Sequence, residues 1–329
     1  MPCAQGLLTL VTLARKSTNS YLVEMNTTHW KTNLREENRP LLEALSLRVP
    51  AAPLAFLRQL CKKQRVLVDD NIAEAERPVH VGEAVVVKSS QRWLSCLENS
   101  RVHPEQFLYE DDQCLVLNKP AGMAIHRAQG HDDNLLHRVQ DFLYLRGEKF
   151  QVAPIHRLDI GTSGAVLFGK GRASISQLGQ AIMAGLMTKR YLALVSGKVT
   201  LSGELNSAVP AKGSNKESLT RFYPVATTGR YTLLELELVT GRRHQIRYQL
   251  AKAGWPIVGD ARYHGTIIAD MARPFLHCHH LVFPPPASGQ DVDINCPLPS
   301  DLRTHLATLD FPPEALSPEI TELNNGKDR

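Results

Sequence analysis

Residues 156–164, with the sequence HRLDIGTSG, bring polar side chains immediately before an apolar segment at residues 165–168. Burying charged groups beside such a segment is costly unless the groups are paired or functional. Asp159 could therefore serve as a catalytic carboxylate, which either attacks an electrophilic carbon or removes a proton. The structural alternative is a turn in which Asp159 caps backbone amides and pairs with Arg157.

Four further segments combine strand or turn signals with side chains that could bind or react. In the first, Pro120 and Gly122 predict a tight turn, where the Lys119 ammonium could face a phosphate. The four segments are NKPAGMAIH at 118–126, KRYLALV at 189–195, GRRHQIR at 241–247 and GWPIVGDARY at 254–263.

The segment at 156–164 resembles the HRLDxxTSG signature of the RluA-type RNA pseudouridine synthase family, and every fixed position is matched. The other four resemble the family's N-K-P-x-G, K-x-Y-x-A-x-V, G-R-x-H-Q-I-R and G-x-P-I-x-G-D-x-x-Y motifs. Together they cover about residues 107 to 285. Tyr248 and Gln249 stand where many members have valine and histidine. These departures leave the local packing and the choice of substrate open.

The resemblance implies that Asp159 is the essential carboxylate and that Arg247 forms an ion pair with it. It makes Tyr191 the active-site tyrosine, whose ring offers a flat face to the detached base and whose hydroxyl could help to move the C5 proton. Arg157, Thr162 and His244 could hold the flipped nucleotide or its phosphates, although a structural role for each of them remains open.

The implied reaction isomerises uridine in structured RNA to pseudouridine: the N-glycosidic bond breaks, the base turns, and a bond to carbon replaces it. No net oxidation occurs, so neither a cofactor nor a metal is expected, in agreement with the lack of dinucleotide and phosphate loop motifs. Nucleophilic attack on the anomeric carbon and removal of a sugar proton to give a glycal both remain open.

Competing functions fit the sequence less well. A glycoside hydrolase would need a second carboxylate, and the matched motifs offer only Asp260, in a turn-like Gly-Asp. Thr162-Ser163-Gly164 is no serine-hydrolase nucleophile elbow. The run at residues 277–280, HCHH, has no second ligand cluster at a zinc-like spacing. The main alternative is a non-catalytic RNA-binding protein on the same fold, which has no reason to keep the aspartate, tyrosine and arginine.

The apolar patterns predict strands at 114–117, 165–168, 191–195 and 231–239 and helices at 132–146, 172–186 and 244–254. They lack a regular strand–helix–strand repeat, so we expect an α+β fold. The catalytic domain should contain a mixed, largely antiparallel sheet flanked by helices, preceded by a small α/β RNA-binding module.

The expected domains are an N-terminal extension at 1–39, the RNA-binding module at 40–88, a linker at 89–106, the catalytic domain at 107–311 and a flexible tail at 312–329. The module resembles one first known from a small-subunit ribosomal protein. Its basic cluster, which includes Arg58, Lys62 and Lys63, falls where that module meets RNA, and phosphate contacts would give affinity without sequence choice.

The composition agrees with a folded protein and permits a polyanionic partner. The 329 residues are 43% apolar with a net charge of +5. Six cysteines without a disulfide-like spacing favour a reduced, cytoplasmic protein. The first 24 residues leave a transit peptide or an upstream start codon open, with Met25 as the alternative start. No membrane association or obligate protein partner is implied, a monomer is the default, and ribosomal RNA is favoured over transfer RNA as target.

Overall fold

The computed structural model describes residues 27–32, 36–88, 90–99, 106–127, 133–145, 148, 150–211, 214–286 and 289–312. Its internal contacts divide the chain into two compact units, Met1–Glu98 and Asn99–Arg329. The expectations for residues 1–26 and 313–329 lie outside the described residues.

The smaller unit combines a four-stranded antiparallel sheet, in the order β1-β6-β3-β4, with a separate two-stranded pair, β2-β5. Helices α1 and α2 lie between β2 and β3 in the chain, and α3 follows β6. The elements are β1 Thr27–Lys31, β2 Arg39–Pro40, α1 Leu41–Arg48, α2 Leu54–Lys62, β3 Val66–Val68, β4 Asn71–Ile72, β5 Pro78–Val79, β6 Ala84–Lys88 and α3 Gln91–Asn99.

Two elements of this unit fall outside the predicted module of residues 40–88. Strand β1 begins inside the predicted N-terminal extension (1–39), and α3 lies inside the predicted linker (89–106). Trp93 of α3 is completely buried in the core of the smaller unit, and its indole Nε1 donates a hydrogen bond to Thr28 Oγ1 of β1 at 3.1 Å. The two segments are therefore integral to the fold of the smaller unit.

The larger unit is an α+β domain around a ten-stranded, largely antiparallel sheet, as the sequence predicts. Its main path runs β12-β15-β16-β11-β17-β10-β8-β7, with β18 paired to β17 and β9 to β10, and β13-β14 form a separate pair. The strands are β7 Phe107–Glu110, β8 Cys114–Lys119, β9 Val152–Pro154, β10 Ser163–Lys170, β11 Thr188–Ser196, β12 Gly203–Asn206, β13 Val209–Ala211, β14 Ser214–Lys216, β15 Leu219–Thr227, β16 Tyr231–Leu238, β17 Leu276–Phe283 and β18 Val292–Asn295.

The described part of this unit also contains four α-helices: α4 Leu135–Leu145, α5 Gly171–Met183, α6 Gln245–Lys252 and α7 Ser300–Thr308. A 3-10 helix spans Ala261–Tyr263. Every residue of β10 is buried, which agrees with its unbroken apolar run because the strand is central in the sheet. The helices predicted at 132–146, 172–186 and 244–254 are confirmed, with ends that shift by one to three residues.

The sheet brings β10, β17 and β11 side by side, and the parallel pairing of β10 with β17 is tight. Gly164 of β10 pairs with Cys278 of β17, which also pairs with Tyr191 of β11. Gly164 has φ of +121°, and a Cβ there would overlap the Cys278 backbone. Only glycine permits this close approach, which sets the distance between the loop before β10 and the side chains of β11.

Among the helices of the described ranges, none has both the length and the apolar character that crossing a membrane requires.

Candidate active site

A pocket of about 590 Å³ opens beside the N-terminal end of β11. Its wall comprises the loop before β10, the C-terminal end of α5, strand β11, and the connection from β16 into α6. The lining residues include Ile155, His156, Arg157, Leu158, Asp159, Thr162, Met183, Lys189, Tyr191, Val239, Arg242, Arg243, His244, Arg247 and Leu276. Six of the predicted site residues, Asp159, Tyr191, Arg247, Arg157, Thr162 and His244, therefore share one pocket.

The Asp159 carboxylate faces the guanidinium of Arg247, as the resemblance implies. Arg247 Nη1 lies 3.4 Å from Asp159 Oδ2. The rest of the guanidinium is held by Asp260, with Nε to Oδ2 at 2.6 Å and Nη2 to Oδ1 at 2.8 Å. This bidentate contact fixes the plane of the guanidinium and leaves one edge for Asp159. Although burial opposes it, the hydrogen bond to Asp260 and the charges of both aspartates raise the pKa of Arg247, so it remains a cation.

His244 lies on the other side of the carboxylate. Its Nε2 is 3.6 Å from Asp159 Oδ1, and its Nδ1 is 3.1 Å from the Tyr263 hydroxyl. Burial lowers the pKa of His244 below 6.5, the charge of Asp159 opposes this shift, and Arg247 supports it. His244 is therefore neutral at pH 7, and Arg247 supplies the positive charge beside the carboxylate.

The loop that carries His244 is held by a buried glutamine at the start of α6. The side-chain oxygen of Gln245 accepts hydrogen bonds from the Arg242 amide at 3.0 Å and from Thr240 Oγ1 at 2.8 Å. His244 itself has φ of +56°, in the left-handed region. This local fold turns the chain from β16 into α6 so that Arg247, within the first turn of the helix, reaches the pocket.

Tyr191 forms a buried part of the pocket wall. Only 4% of its surface is exposed. Burial, together with the neighbouring Cys278 thiol and the Asp159 carboxylate, raises the pKa of Tyr191 well above its usual value of 10. The phenol is therefore neutral at physiological pH and can act as a flat apolar face and a hydrogen-bond donor, but it is a poor source of phenolate base.

The pocket wall is strongly basic at its exposed edge. Arg157, Arg242 and Arg243 are exposed and lie along it, as does Met183, which is 88% exposed. Thr162 is buried, and its backbone N–H donates to the Asp159 carbonyl at 3.0 Å. Its hydroxyl makes no hydrogen bond within the described structure. The basic edge formed by Arg157, Arg242 and Arg243 suits a polyanionic ligand.

Lys119 does not face a phosphate, and this prediction is wrong. The side chain is completely buried, and its ammonium donates hydrogen bonds to the carbonyl oxygens of Pro120 and Met123, each at 2.8 Å, and of Ile160 at 3.3 Å. Burial lowers the pKa of Lys119 to about 7. Lys119 thus ties the turn after β8 to the loop that carries Asp159, which the spacing of charged residues alone does not reveal.

A second network holds the same loop from the C-terminal side. Ser163 Oγ lies 2.9 Å from His277 Nδ1, whose Nε2 is 3.1 Å from the Cys296 carbonyl oxygen. Arg273 Nη1 donates to Ser163 Oγ at 3.2 Å, and the Arg273 guanidinium also forms a bidentate contact with Asp301 of α7, at 2.7 and 3.0 Å. Because the Cys296 carbonyl accepts from Nε2, His277 accepts the Ser163 proton at Nδ1.

The histidines of the HCHH run are thus engaged in the sheet. His279 Nε2 lies 3.1 Å from Glu235 Oε1, and His280 Nε2 lies 2.7 Å from Asp293 Oδ1. Within the described ranges, no group of three histidine, cysteine, aspartate or glutamate residues is arranged to hold a metal ion.

The predicted RNA contacts Arg58, Lys62 and Lys63 belong to the smaller unit. Arg58 and Lys62 lie on α2 and Lys63 directly follows it; all three are exposed, whereas Phe56, Leu57 and Leu60 of the helix are buried. The basic side chains therefore form a solvent-facing cluster on this unit.

Sequence reasoning missed several residues that line the pocket or hold its side chains in place. Asp260 was treated as part of a turn, yet it is the closest partner of Arg247. Lys189 and Arg242 line the pocket, although only their motif neighbours were singled out. Strand alternation could have identified Lys189, because residues two apart on a strand share a face and Tyr191 was already assigned.

Comparisons with known proteins agree with this geometry. Residues 113–252 match the model of the RNA pseudouridylate synthase family. An uncharacterized RNA pseudouridine synthase of Bacillus subtilis is 30% identical over 76% of this chain and 90% of its own length. The ribosomal large subunit pseudouridine synthase C of Yersinia pestis is 33% identical over 75% of this chain and 81% of its own length.

A solved structure shares the fold. The human RNA pseudouridylate synthase domain containing 4 superposes with a TM-score of 0.52 at 20% identity, covering 62% of this chain and 93% of the human one. The family match and the curated relatives identify an isomerase that acts on RNA. The chain belongs to the RNA pseudouridine synthase family.

Proposed function

We propose that this enzyme isomerises specific uridines of ribosomal RNA, with Asp159, Arg247 and Tyr191 as its catalytic groups. The observation that carries the proposal is the meeting of a carboxylate, its guanidinium partner and a buried phenol in one basic pocket. A ribosomal target is favoured because several relatives, including those of Yersinia pestis and Vibrio vulnificus, are named ribosomal large subunit pseudouridine synthases.

Asp159 starts the reaction at the sugar. Its carboxylate either forms a bond to C1′ or removes the proton from C2′, and in both routes the electron pair of the C1′–N1 bond leaves with the uracil. Arg247 holds the carboxylate ionised and oriented, because Asp260 fixes the guanidinium plane. Both routes fit this arrangement of charges.

Tyr191 contacts the uracil base after the glycosidic bond breaks. Its ring offers a face against which the freed uracil can turn until C5 meets C1′. When C5 bonds to C1′, the bond between Asp159 and C1′ breaks in the first route, and the proton returns from Asp159 to C2′ in the second. The reaction ends when the C5 proton is lost and N1 gains one. Because the phenol is neutral, Tyr191 can assist as a hydrogen-bond donor rather than as a phenolate base.

The target uridine must leave its stack to reach Asp159, which costs a few kcal/mol in structured RNA. Arg157, Thr162 and His244 are proposed to hold the flipped nucleotide, and the exposed Arg157 is suited to its phosphates. In the smaller unit, Arg58, Lys62 and Lys63 would add phosphate contacts elsewhere on the RNA. We also propose that the enzyme acts as a cytoplasmic monomer that needs no cofactor.

The test compares wild type with Asp159→Asn on unmodified ribosomal and transfer RNA, followed by pseudouridine mapping at single-nucleotide resolution. Asparagine keeps the size of the side chain but cannot act as nucleophile or base. We expect new pseudouridine in ribosomal RNA with wild type alone. Asp291→Asn, which removes an exposed carboxylate of the same unit, should behave as wild type.

Three results would contradict the proposal. Equal activity of Asp159→Asn would remove Asp159 from the mechanism. Modification confined to transfer RNA would overturn the ribosomal target. RNA binding by wild type without any new pseudouridine in either RNA would favour a non-catalytic binding protein.

A further inference from the structure

Lys189 is a buried basic residue of the pocket wall, and burial lowers its pKa from the usual value. It stands two residues before Tyr191 on β11 and therefore on the same face of the strand. Only 7% of its surface is exposed, and it lines the pocket together with Asp159 and Tyr191. Unlike Lys119, whose ammonium meets three carbonyl oxygens, Lys189 makes no side-chain hydrogen bond or ion pair within the described ranges.

The neighbouring polar groups cannot supply the missing acceptor. His156 Nε2 accepts a hydrogen bond from the Leu167 amide at 3.2 Å, so the neutral ring carries its proton on Nδ1 and presents a second donor. Burial and the charge of Lys189 lower the pKa of His156 to about 3. Burial raises the pKa of the Cys278 thiol to about 12, so no thiolate is present either.

An unpaired buried ammonium is costly, and a folded protein keeps one where a ligand or a reaction supplies its partner. The RNA phosphates can be met at the exposed edge of the pocket by Arg157, Arg242 and Arg243. Lys189, in contrast, is buried beside the tyrosine ring against which the base is proposed to turn. Lys189 is therefore better placed to meet the uracil base than the phosphates of the RNA.

The uracil becomes an acceptor of the required charge during the reaction. When the C1′–N1 bond breaks, its electron pair leaves with the ring, and the negative charge is spread over N1 and the carbonyl oxygens O2 and O4. The charge disappears when C5 bonds to C1′ and the C5 proton is replaced by one on N1. A cation fixed in a pocket shielded from water stabilises such a transient charge more than it stabilises the neutral substrate.

We propose that Lys189 is a further catalytic residue that stabilises the departing uracil anion through one of its carbonyl oxygens. This assignment rests on the proposed function, and it gives the buried ammonium a counter-charge that exists only during the reaction.

The test is Lys189→Met, which keeps the length of the side chain but removes its charge and donors. Single-turnover rates and RNA affinity would be measured on a transcript of the ribosomal RNA region in which wild type forms pseudouridine. We expect the rate at saturating RNA to fall roughly 100- to 1,000-fold, the range for loss of one donor to a developing anion. The dissociation constant and its salt dependence should stay unchanged.

Companion variants separate chemistry from folding. Lys189→Arg should retain part of the rate because it keeps the charge, and Lys189→Gln should fall between Arg and Met because it keeps only a donor. Lys198→Met, which removes an exposed lysine just after β11, should match wild type. The thermal midpoint of Lys189→Met should not fall, because the substitution removes an unpaired buried charge; Lys189→Gln serves if the methionine variant does not fold.

Two results would overturn the assignment. An unchanged single-turnover rate would show that Lys189 is not needed for the chemistry. A weaker affinity with a salt slope lowered by about one, at an unchanged rate, would identify a phosphate contact instead. If wild type itself forms no pseudouridine, it is the proposed function that fails, and this outcome is distinct from both.

Discussion

At the scale of single residues, the plane of one guanidinium organises the pocket. Arg247 contacts Asp260 through two nitrogens and Asp159 through a third. A lysine at this position would keep the charge but could not form the fork, because its ammonium is a single point of charge. We therefore infer that the orientation of the guanidinium, as well as its charge, positions Asp159, the proposed catalytic carboxylate.

We expect Arg247→Lys to lower the rate of pseudouridine formation about tenfold to a hundredfold, the loss typical of one charge-assisted hydrogen bond. Single-turnover assays on the mapped ribosomal RNA region would measure it. Arg303→Lys, an exposed arginine on α7, provides the control. A lysine variant as fast as wild type would show that the charge alone suffices.

Motifs in the sequence predict which side chains meet in the pocket more fully than they predict how those side chains are held in place. Asp159, Tyr191 and Arg247 follow from motifs, and the structure brings them into one pocket. The prediction for Lys119 fails because burial depends on tertiary packing, which a local motif does not contain. Asp260 was missed for the same reason, since its contact with Arg247 forms only when two segments meet.

At the scale of elements, the close contact of β10 with β17 carries the geometry of the site. The loop with Asp159 leads into β10, and Tyr191 lies on β11, on the other side of β17. Gly164 is the point of closest approach. Whatever separates these two strands also separates the carboxylate from the tyrosine.

We expect Gly164→Ala to destabilise the larger unit by several kcal/mol and to abolish activity, because φ of +121° and the Cys278 backbone both exclude a Cβ. Denaturant unfolding and the pseudouridine assay would measure this. The matched control is Gly179→Ala in α5, where a Cβ meets nothing within 4 Å. That change should stabilise the helix by about 0.5–1 kcal/mol. Equal stability of the two variants would contradict the role of the close contact.

The sequence predicts the central elements well and the peripheral ones poorly. The strands and helices of the larger unit have apolar runs long enough to be recognised. Strand β1, with the sequence TTHWK, and helix α3, with QRWLSCLEN, are mostly polar and hold their places through Trp93 and its partner Thr28. Such contacts are not visible in local periodicity, so the sequence alone predicts an extension and a linker for these two segments.

At the scale of the whole molecule, two units with separate cores suggest a division of work between chemistry and RNA affinity. We expect alanine at Arg58, Lys62 and Lys63 together to weaken RNA binding and to lower the salt slope by up to about three. The single-turnover rate at saturating RNA should not change.

Binding measured at several salt concentrations would check this division. Alanine at Arg172, Lys198 and Arg303, three exposed basic residues of the larger unit, removes the same charge and serves as the control. An equal loss of affinity in both triple variants would show that net charge, rather than the cluster on the smaller unit, attracts the RNA.

Buried histidines should make the larger unit sensitive to acid. Burial lowers the pKa of His277 to about 4 and that of His156 to about 3, against a usual 6.5. The unfolded chain therefore takes up protons first as the pH falls below 6.5, and the folded state loses stability until its own histidines titrate. For His277 the full loss is about 3 kcal/mol.

The free energy of unfolding of the larger unit, measured between pH 7 and pH 4.5, should decrease less steeply in His277→Gln than in wild type. The glutamine does not titrate, so the difference in slope isolates the histidine. The control is His305→Gln, which replaces a partly buried histidine of α7. Its slope should match that of wild type. Parallel slopes in all three proteins would contradict the prediction.

The position of β17 in the sheet has a consequence for folding during synthesis of the chain. This strand comes late in the chain, at Leu276–Phe283, yet it lies between β10 and β11, which are made about 80 to 110 residues earlier. Until the ribosome has released β17, the strand that follows Asp159 (β10) and the strand that carries Tyr191 (β11) share no neighbouring strand in the described sheet. We therefore expect the pocket to form, and RNA modification to become possible, only after β17 has been synthesised and inserted into the sheet.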